Sequence, residues 1–114
     1  MTIEELQEQV RELTRRQGWE GGTVEDRAQR FLGEVSELME EVKLFIATGD
    51  KGEQEEVRTR LGSEIYDVVW NLLDLAEKCE IDVEAAFRRK HEINKGRNWT
   101  VPRATRGSGS IQQR

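Results

Sequence analysis

One cysteine, one proline and one histidine are all that these 114 residues hold of those three types. The lone thiol, Cys79, cannot close an intrachain disulfide, which fits a reducing compartment. His91 has no second imidazole for a zinc site and no partner at triad spacing, so it reads as a surface residue. Pro102 is the only residue barred outright from helix interiors. No apolar run approaches the ~20 residues needed to cross a bilayer. The segment Met1-Thr-Ile-Glu-Glu5 lacks the basic-then-apolar order of a secretory leader, so the expected location is the cytoplasm, with no membrane partner. No glycine loop of the Walker type is present, which argues against P-loop chemistry. Nothing reads as a convincing strand.

Charge is what the sequence has in quantity. It is 36% charged and 35% hydrophobic, the profile of a helical protein with a modest core. A single small domain is expected, and helices with apolar stripes often complete such a core by assembling with copies of themselves. The net charge of −5 is unevenly spread. Residues 1–87 carry 22 acidic and 10 basic side chains, a balance of −12, whereas residues 88–114 carry one acidic and 8 basic, a balance of +7. An acidic body with a basic C-terminal segment suits a metal ion plus a small polyanion. It does not suit nucleic acid, whose partners usually carry the basic excess across the domain.

Apolar residues recur at three and four residues in four stretches. The first runs over 2–16 through Ile3, Leu6, Val10 and Leu13, with Thr2 as its cap. Glycines 18, 21 and 22 mark a loop around Trp19. A second helix is predicted over Val24–Ala47, buried through Ala28, Phe31, Val35, Leu38, Val42, Phe45 and Ile46, with Thr23 and Asp26 as an imperfect capping box. Thr48–Gly52 reads as a break. A third helix is predicted over Gln54–Lys78, with Leu61, Ile65, Val68, Val69, Leu72, Leu75 and Ala76 on one side. Asp82 caps a fourth that runs to Lys95 and is buried through Val83, Ala86, Phe87 and Ile93. The fold class is therefore all-α, an antiparallel bundle of four helices over residues 1–100, its core completed by dimer or tetramer assembly. A loosely ordered basic tail is expected over 101–114.

Within the long helices, Glu34-Val-Ser-Glu37 and Glu64-Ile-Tyr-Asp67 each place two carboxylates three residues apart, on one face. At 100° per residue, with Glu34 and Glu64 as zero, Glu37 and Asp67 both fall at about 300°, and Glu41 and Asn71 both at about 340°. The apolar residues of both helices cluster near 80°. Two helices that present acids at the same angle from their core stripes can share a site. Four converging carboxylates suit a hard divalent cation, Mg²⁺ above all, with Mn²⁺ as an alternative. The competing reading is a solvated acidic face, since Glu5/Glu8, Glu37/Glu40 and Glu53/Glu56 share the spacing.

On the fourth helix Lys90, Asn94 and Arg97 share a face. They could hold phosphate oxygens, or simply complement the helix C-terminus. Trp19 could stack on a base or plug a helix end, and Tyr66 and Trp70, off the core stripe, suit a subunit interface.

Leu32-Gly-Glu-Val-Ser-Glu-Leu-Met-Glu-Glu41, followed by Leu61-Gly-Ser-Glu-Ile-Tyr-Asp67, resembles the MazG-like nucleotide pyrophosphohydrolases of the all-α NTP pyrophosphatase superfamily. Ile81-Asp-Val-Glu84 and Lys90-x-x-x-Asn94-x-x-Arg97-x-Trp99 resemble that family's closing segment, so the likeness spans roughly residues 19–99. The resemblance implies Mg²⁺-dependent hydrolysis of nucleoside triphosphates to monophosphates and pyrophosphate, by water attack at the α-phosphorus. It implies Glu34, Glu37, Glu64 and Asp67 as metal ligands, and Glu41 as an extra ligand or a residue that orients water. With Lys90 these form the expected catalytic set. Trp19, Asn71, Lys90, Asn94, Arg97 and Trp99 form the expected substrate-binding set. Homodimers or homotetramers, with sites lined by more than one subunit, are also implied. A phosphoribosyl-ATP pyrophosphohydrolase or a dimeric dUTPase would share the metal ligands and differ in base recognition. A helical interaction module would share only the acidic face. A metal-storage bundle is disfavoured, because the Glu-x-x-His pairs of such bundles are missing.

Overall fold

The computed structural model describes residues 1–97; Trp99 and the tail expected over 101–114 lie outside the described residues. Among the described residues the chain forms four α-helices and no strand: α1 Ile3–Gln17, α2 Val24–Ala47, α3 Lys51–Lys78 and α4 Val83–Lys95. Each start is chemically marked. Thr2 and Thr23 accept the amide hydrogens of Glu5 and Asp26, whose carboxylates accept the cap amides in return, so both capping boxes are complete. Such a cap is worth about 1 kcal/mol. Asp50 accepts from the Glu53 amide and begins α3 at Lys51 rather than at the predicted Gln54. Gly52, expected in the break, falls in the first turn of α3, where the Asp50 cap holds the backbone. Asp82 caps α4 through the Ala85 amide, as predicted. Gly18 ends α1 with φ 73°, a left-handed conformation that favours glycine.

α2 and α3 pack as an antiparallel hairpin, α1 lies along α3, and α4 packs chiefly on α1. Gln7 ties these elements together. Its side-chain amide donates to Glu77 and to the Ile81 carbonyl, and its side-chain oxygen accepts from the Val83 amide. Arg11 adds an ion pair to Glu77 at 2.8 Å.

The apolar core of one chain is thin. Val10, Val57, Leu73 and Ala76 are its buried apolar side chains among the described residues. Several predicted core positions are not covered. Ala28 is exposed, Ile46 is 77% exposed, and Ile65 and Leu72 are nearly half exposed. On α4, Phe87 is 61% exposed, stacked on His91 with ring centroids 6.4 Å apart, and Ile93 is also exposed. The reason is geometric. A hairpin with one helix laid along it buries only the stripe that faces a neighbour, and α4 sits on the end of α1 rather than across the hairpin. Leu6, Val10, Leu13, Tyr66, Val69 and Trp70 line an open groove of about 330 Å³ between α1 and α3.

The most deeply buried charges are Arg27 and Asp74, with side chains 3% and 6% exposed. Arg27 Nε stands 3.0 Å from Asp74 Oδ2, off the line of its N–H, so the contact is ionic more than a well-aligned hydrogen bond. The two Nη groups donate to the carbonyls of Gly21 and Trp19, which pins the glycine loop to the hairpin. A Cβ on Gly22, at φ 89°, would stand 2.8 Å from Arg27 Nη1, so this glycine makes room for the guanidinium. Removing one partner strands the other charge in the interior. Asp74→Ala should therefore cost about 3–5 kcal/mol in denaturant unfolding, whereas Lys43→Ala, which breaks an exposed pair with Glu40, should change stability by no more than about 0.5 kcal/mol.

Candidate metal centre

Two ion pairs set the register of the hairpin: Arg27 with Asp74 and Glu41 with Arg60, the latter at 3.2 Å. They lie fourteen residues apart on each helix, in opposite directions, as an antiparallel pairing requires. Midway between them, seven residues from each, fall Glu34 on α2 and Asp67 on α3. One turn nearer the second pair fall Glu37 and Glu64. Steps of three and four residues keep all these positions on one seam. The outer rungs pair an acid with an arginine; Arg30 and Asn71 form the step next to Asp74, and the two rungs that follow, Glu34 with Asp67 and Glu37 with Glu64, hold only acids.

Carboxylate oxygens of Glu34, Glu37 and Glu64 all lie within 4.8 Å of one another. Glu34 and Glu64 are half-buried, and Glu37 is exposed. Ligands on opposite sides of one Mg²⁺ stand ~4.2 Å apart, from bond lengths of about 2.1 Å, so the spacing is of a size that small rotamer changes can close. Glu64 Oε2 is shielded from solvent and has no hydrogen-bond partner among the described residues. An all-oxygen donor set with an orphaned carboxylate oxygen fits a hard cation.

The predicted residues are distributed unevenly around this group. Asp67 is half-buried and stands outside the 4.8 Å set, yet its charge acts on both Glu34 and Glu64. Glu41 acts on Glu64 while its own charge is compensated by Arg60. Asn71 is buried, and its Nδ2 donates to the Asp67 carbonyl at 2.8 Å, within its own helix. Trp19 is 51% exposed and meets Trp70 edge to face, with centroids 6.2 Å apart and planes at 81°. Lys90 is half-buried on α4, and among the described residues no hydrogen bond or ion pair joins it to the three carboxylates. Asn94 is half-buried and Arg97 exposed near the end of the same helix. The Arg27–Asp74 and Glu41–Arg60 pairs escaped the sequence reading. Only the face was signalled: the three- and four-residue spacing of the acids continues outward to arginines on both helices, without marking the partner across the hairpin.

Crowding acids has an electrostatic consequence. Burial, followed by the charges of Glu37, Asp67 and Glu64, raises the Glu34 pKa above 4.5. Burial, followed by Glu37, Asp67 and Glu41, does the same for Glu64. A carboxyl with a raised folded-state pKa binds its proton more tightly in the folded chain than in the unfolded one. Its contribution to stability then falls as pH rises from the ordinary carboxylate range through the raised value, and it stays unfavourable above. In chelator-treated protein, Glu34→Gln should therefore raise the melting temperature at pH 7. The gain should shrink toward zero as the pH is taken below 4.5, the ordinary value for this side chain. Melting curves of both proteins across pH check this.

Compared with family models, curated proteins and solved structures, the chain matches none.

Proposed function

We propose that this protein is a Mg²⁺-dependent nucleoside triphosphate pyrophosphohydrolase of the MazG-like kind, converting a (d)NTP and water to a (d)NMP and pyrophosphate. The observation that carries the reading is the convergence of Glu34, Glu37 and Glu64 from two helices, between arginine-neutralised rungs, with no ion pair from a Lys or Arg to any of the three among the described residues. Such an arrangement is electrostatically unfavourable by itself and becomes favourable around a divalent cation. Magnesium, if held there, would supply charge stabilisation to phosphate oxygens and would acidify water.

The chain's own side chains have separate tasks. Glu34, Glu37 and Glu64 provide the donor oxygens, and Asp67, one turn from Glu64 on the same seam, completes the set. Glu41, tethered by Arg60, orients water at the edge of the group. Trp19, with one side open and its loop pinned by Arg27, offers an apolar surface for a base. Lys90 and Asn94 ride on α4, which packs on α1, and Arg97 lies two residues past its end. We assign them to phosphate contacts within an assembled homodimer or homotetramer. The exposed apolar side chains Tyr66 and Phe87, each 61% exposed, favour such assembly. Nucleotide-pool housecleaning is the role that suits this chemistry.

Glu64→Gln keeps the shape of the side chain and removes its charge. It should lower Mg²⁺-dependent pyrophosphate release by roughly 100-fold or more, judged against the 10–100-fold cost of losing even an indirect metal contact, while the helical circular dichroism is kept. Activity near that of the wild type would remove Glu64 from the ligand set. A panel of canonical nucleotides, dUTP and phosphoribosyl-ATP, scored by pyrophosphate release, distinguishes the general enzyme from its specialised relatives. A helical interaction module would show no release with any of them and no Mg²⁺-dependent thermal shift.

A further inference from the structure

We infer that Arg60 receives the pyrophosphate end of the substrate; this rests on the proposed hydrolase reading and assigns a direction to its site. Arg60 lies one helical turn before Glu64, and its partner Glu41 lies one turn after Glu37, so their rung adjoins the acidic group on the same seam. Nε of Arg60 is taken by Glu41 Oε1 at 3.2 Å. Neither Nη makes a hydrogen bond among the described residues, and the side chain is 50% exposed. A guanidinium fixed at Nε with its Nη groups open presents the donors that phosphate oxygens take, beside the carboxylates rather than among them.

The opposite end of the seam is chemically different. There Arg27 is buried, ion-paired to Asp74 and bonded through both Nη groups to the loop carbonyls, and Arg30 Nη1 stands 3.9 Å from Asp74 Oδ2. That end carries the pinned loop with Trp19 against Trp70. From Trp70 to Arg60 is ten residues of α3, about 15 Å at 1.5 Å per residue. The seam thus has an aromatic end, where Arg27 and Arg30 are both drawn to Asp74, an acidic middle, and an end where Arg60 keeps its Nη groups open. A nucleoside triphosphate laid along it places its base at the tryptophans, its α-phosphate at the acids and its terminal phosphates at Arg60.

The test is calorimetric binding of pyrophosphate and of a nucleoside monophosphate, each in Mg²⁺, to the wild type and to Arg60→Gln, Arg60→Lys and Glu41→Gln. Arg60→Gln should weaken pyrophosphate binding roughly 10- to 100-fold, the range for hydrogen bonds to a charged group, and leave the monophosphate unchanged. Arg60→Lys should fall between, because it keeps charge and loses the fork. Glu41→Gln, which keeps an oxygen to accept from Arg60 Nε, should weaken pyrophosphate binding less than Arg60→Gln does. Equal losses for both ligands would mark a diffuse charge effect and overturn the contact. Matching losses in Glu41→Gln and Arg60→Gln would show that Arg60 acts only through Glu41, which also overturns it. If the wild type binds pyrophosphate and Arg60→Gln binds it equally well, Arg60 alone is excluded. If the wild type binds neither ligand with Mg²⁺ and releases no pyrophosphate from triphosphates, the hydrolase reading fails and this assignment falls with it.

Discussion

Mutual repulsion among acids on the α2–α3 seam is the constraint around which the rest of the structure is arranged. Two helices that carried only those acids would splay apart. They are held in register because the same seam continues into acid–arginine rungs at either end, Arg27 with Asp74 and Arg60 with Glu41. The two clasps differ in kind. The first is desolvated and locks a loop as well as a helix pair. The second is open to water, with an arginine 50% exposed, and so contributes less to stability and remains accessible to a ligand.

This arrangement reverses the usual economy of a helical hairpin, in which the contact seam is apolar and the outside polar. Here charged residues occupy one contact seam, and the apolar stripes lie beside it, half-covered. The stripe residues Phe31, Val35, Leu38 and Val42 reach only intermediate burial, while Val57 and Leu73 are buried. The cost of the polar seam is a thin core in the single chain. Raised carboxyl pKa values at Glu34 and Glu64 are the local expression of that cost. Sites that bind charged ligands commonly sacrifice stability in this way, because the groups that attract the ligand repel one another before it arrives.

α4 illustrates the limits of periodicity. Its cap, length and polarity were legible, since Asp82 and the spacing to Lys95 are local features. Its burial was not. Phe87 and Ile93 repeat as core residues do, yet both are exposed, because the helix is anchored at its start through Gln7 and Glu4 and does not lie across the hairpin. Apolar spacing states which face seeks a partner; it does not state which surface provides one. The same holds for Tyr66, which lines an open groove with α1.

Local rules written in the sequence sufficed for the helices, the Thr2 and Thr23 caps and the matched angle of the two acidic pairs, because each depends on residues within a few turns of one another. Burial, pairing across helices and the distance between carboxylates depended on how the rods meet. No one-dimensional pattern carries the register that sets Glu34 opposite Asp67 and Glu37 opposite Glu64. That register came from contacts 19 and 47 residues apart in the chain, Glu41 to Arg60 and Arg27 to Asp74. Tertiary packing alone decided that the acids gather while Lys90 stays on a helix that packs elsewhere, since an i, i+3 spacing orients a side chain about its own axis and leaves the neighbouring axis free.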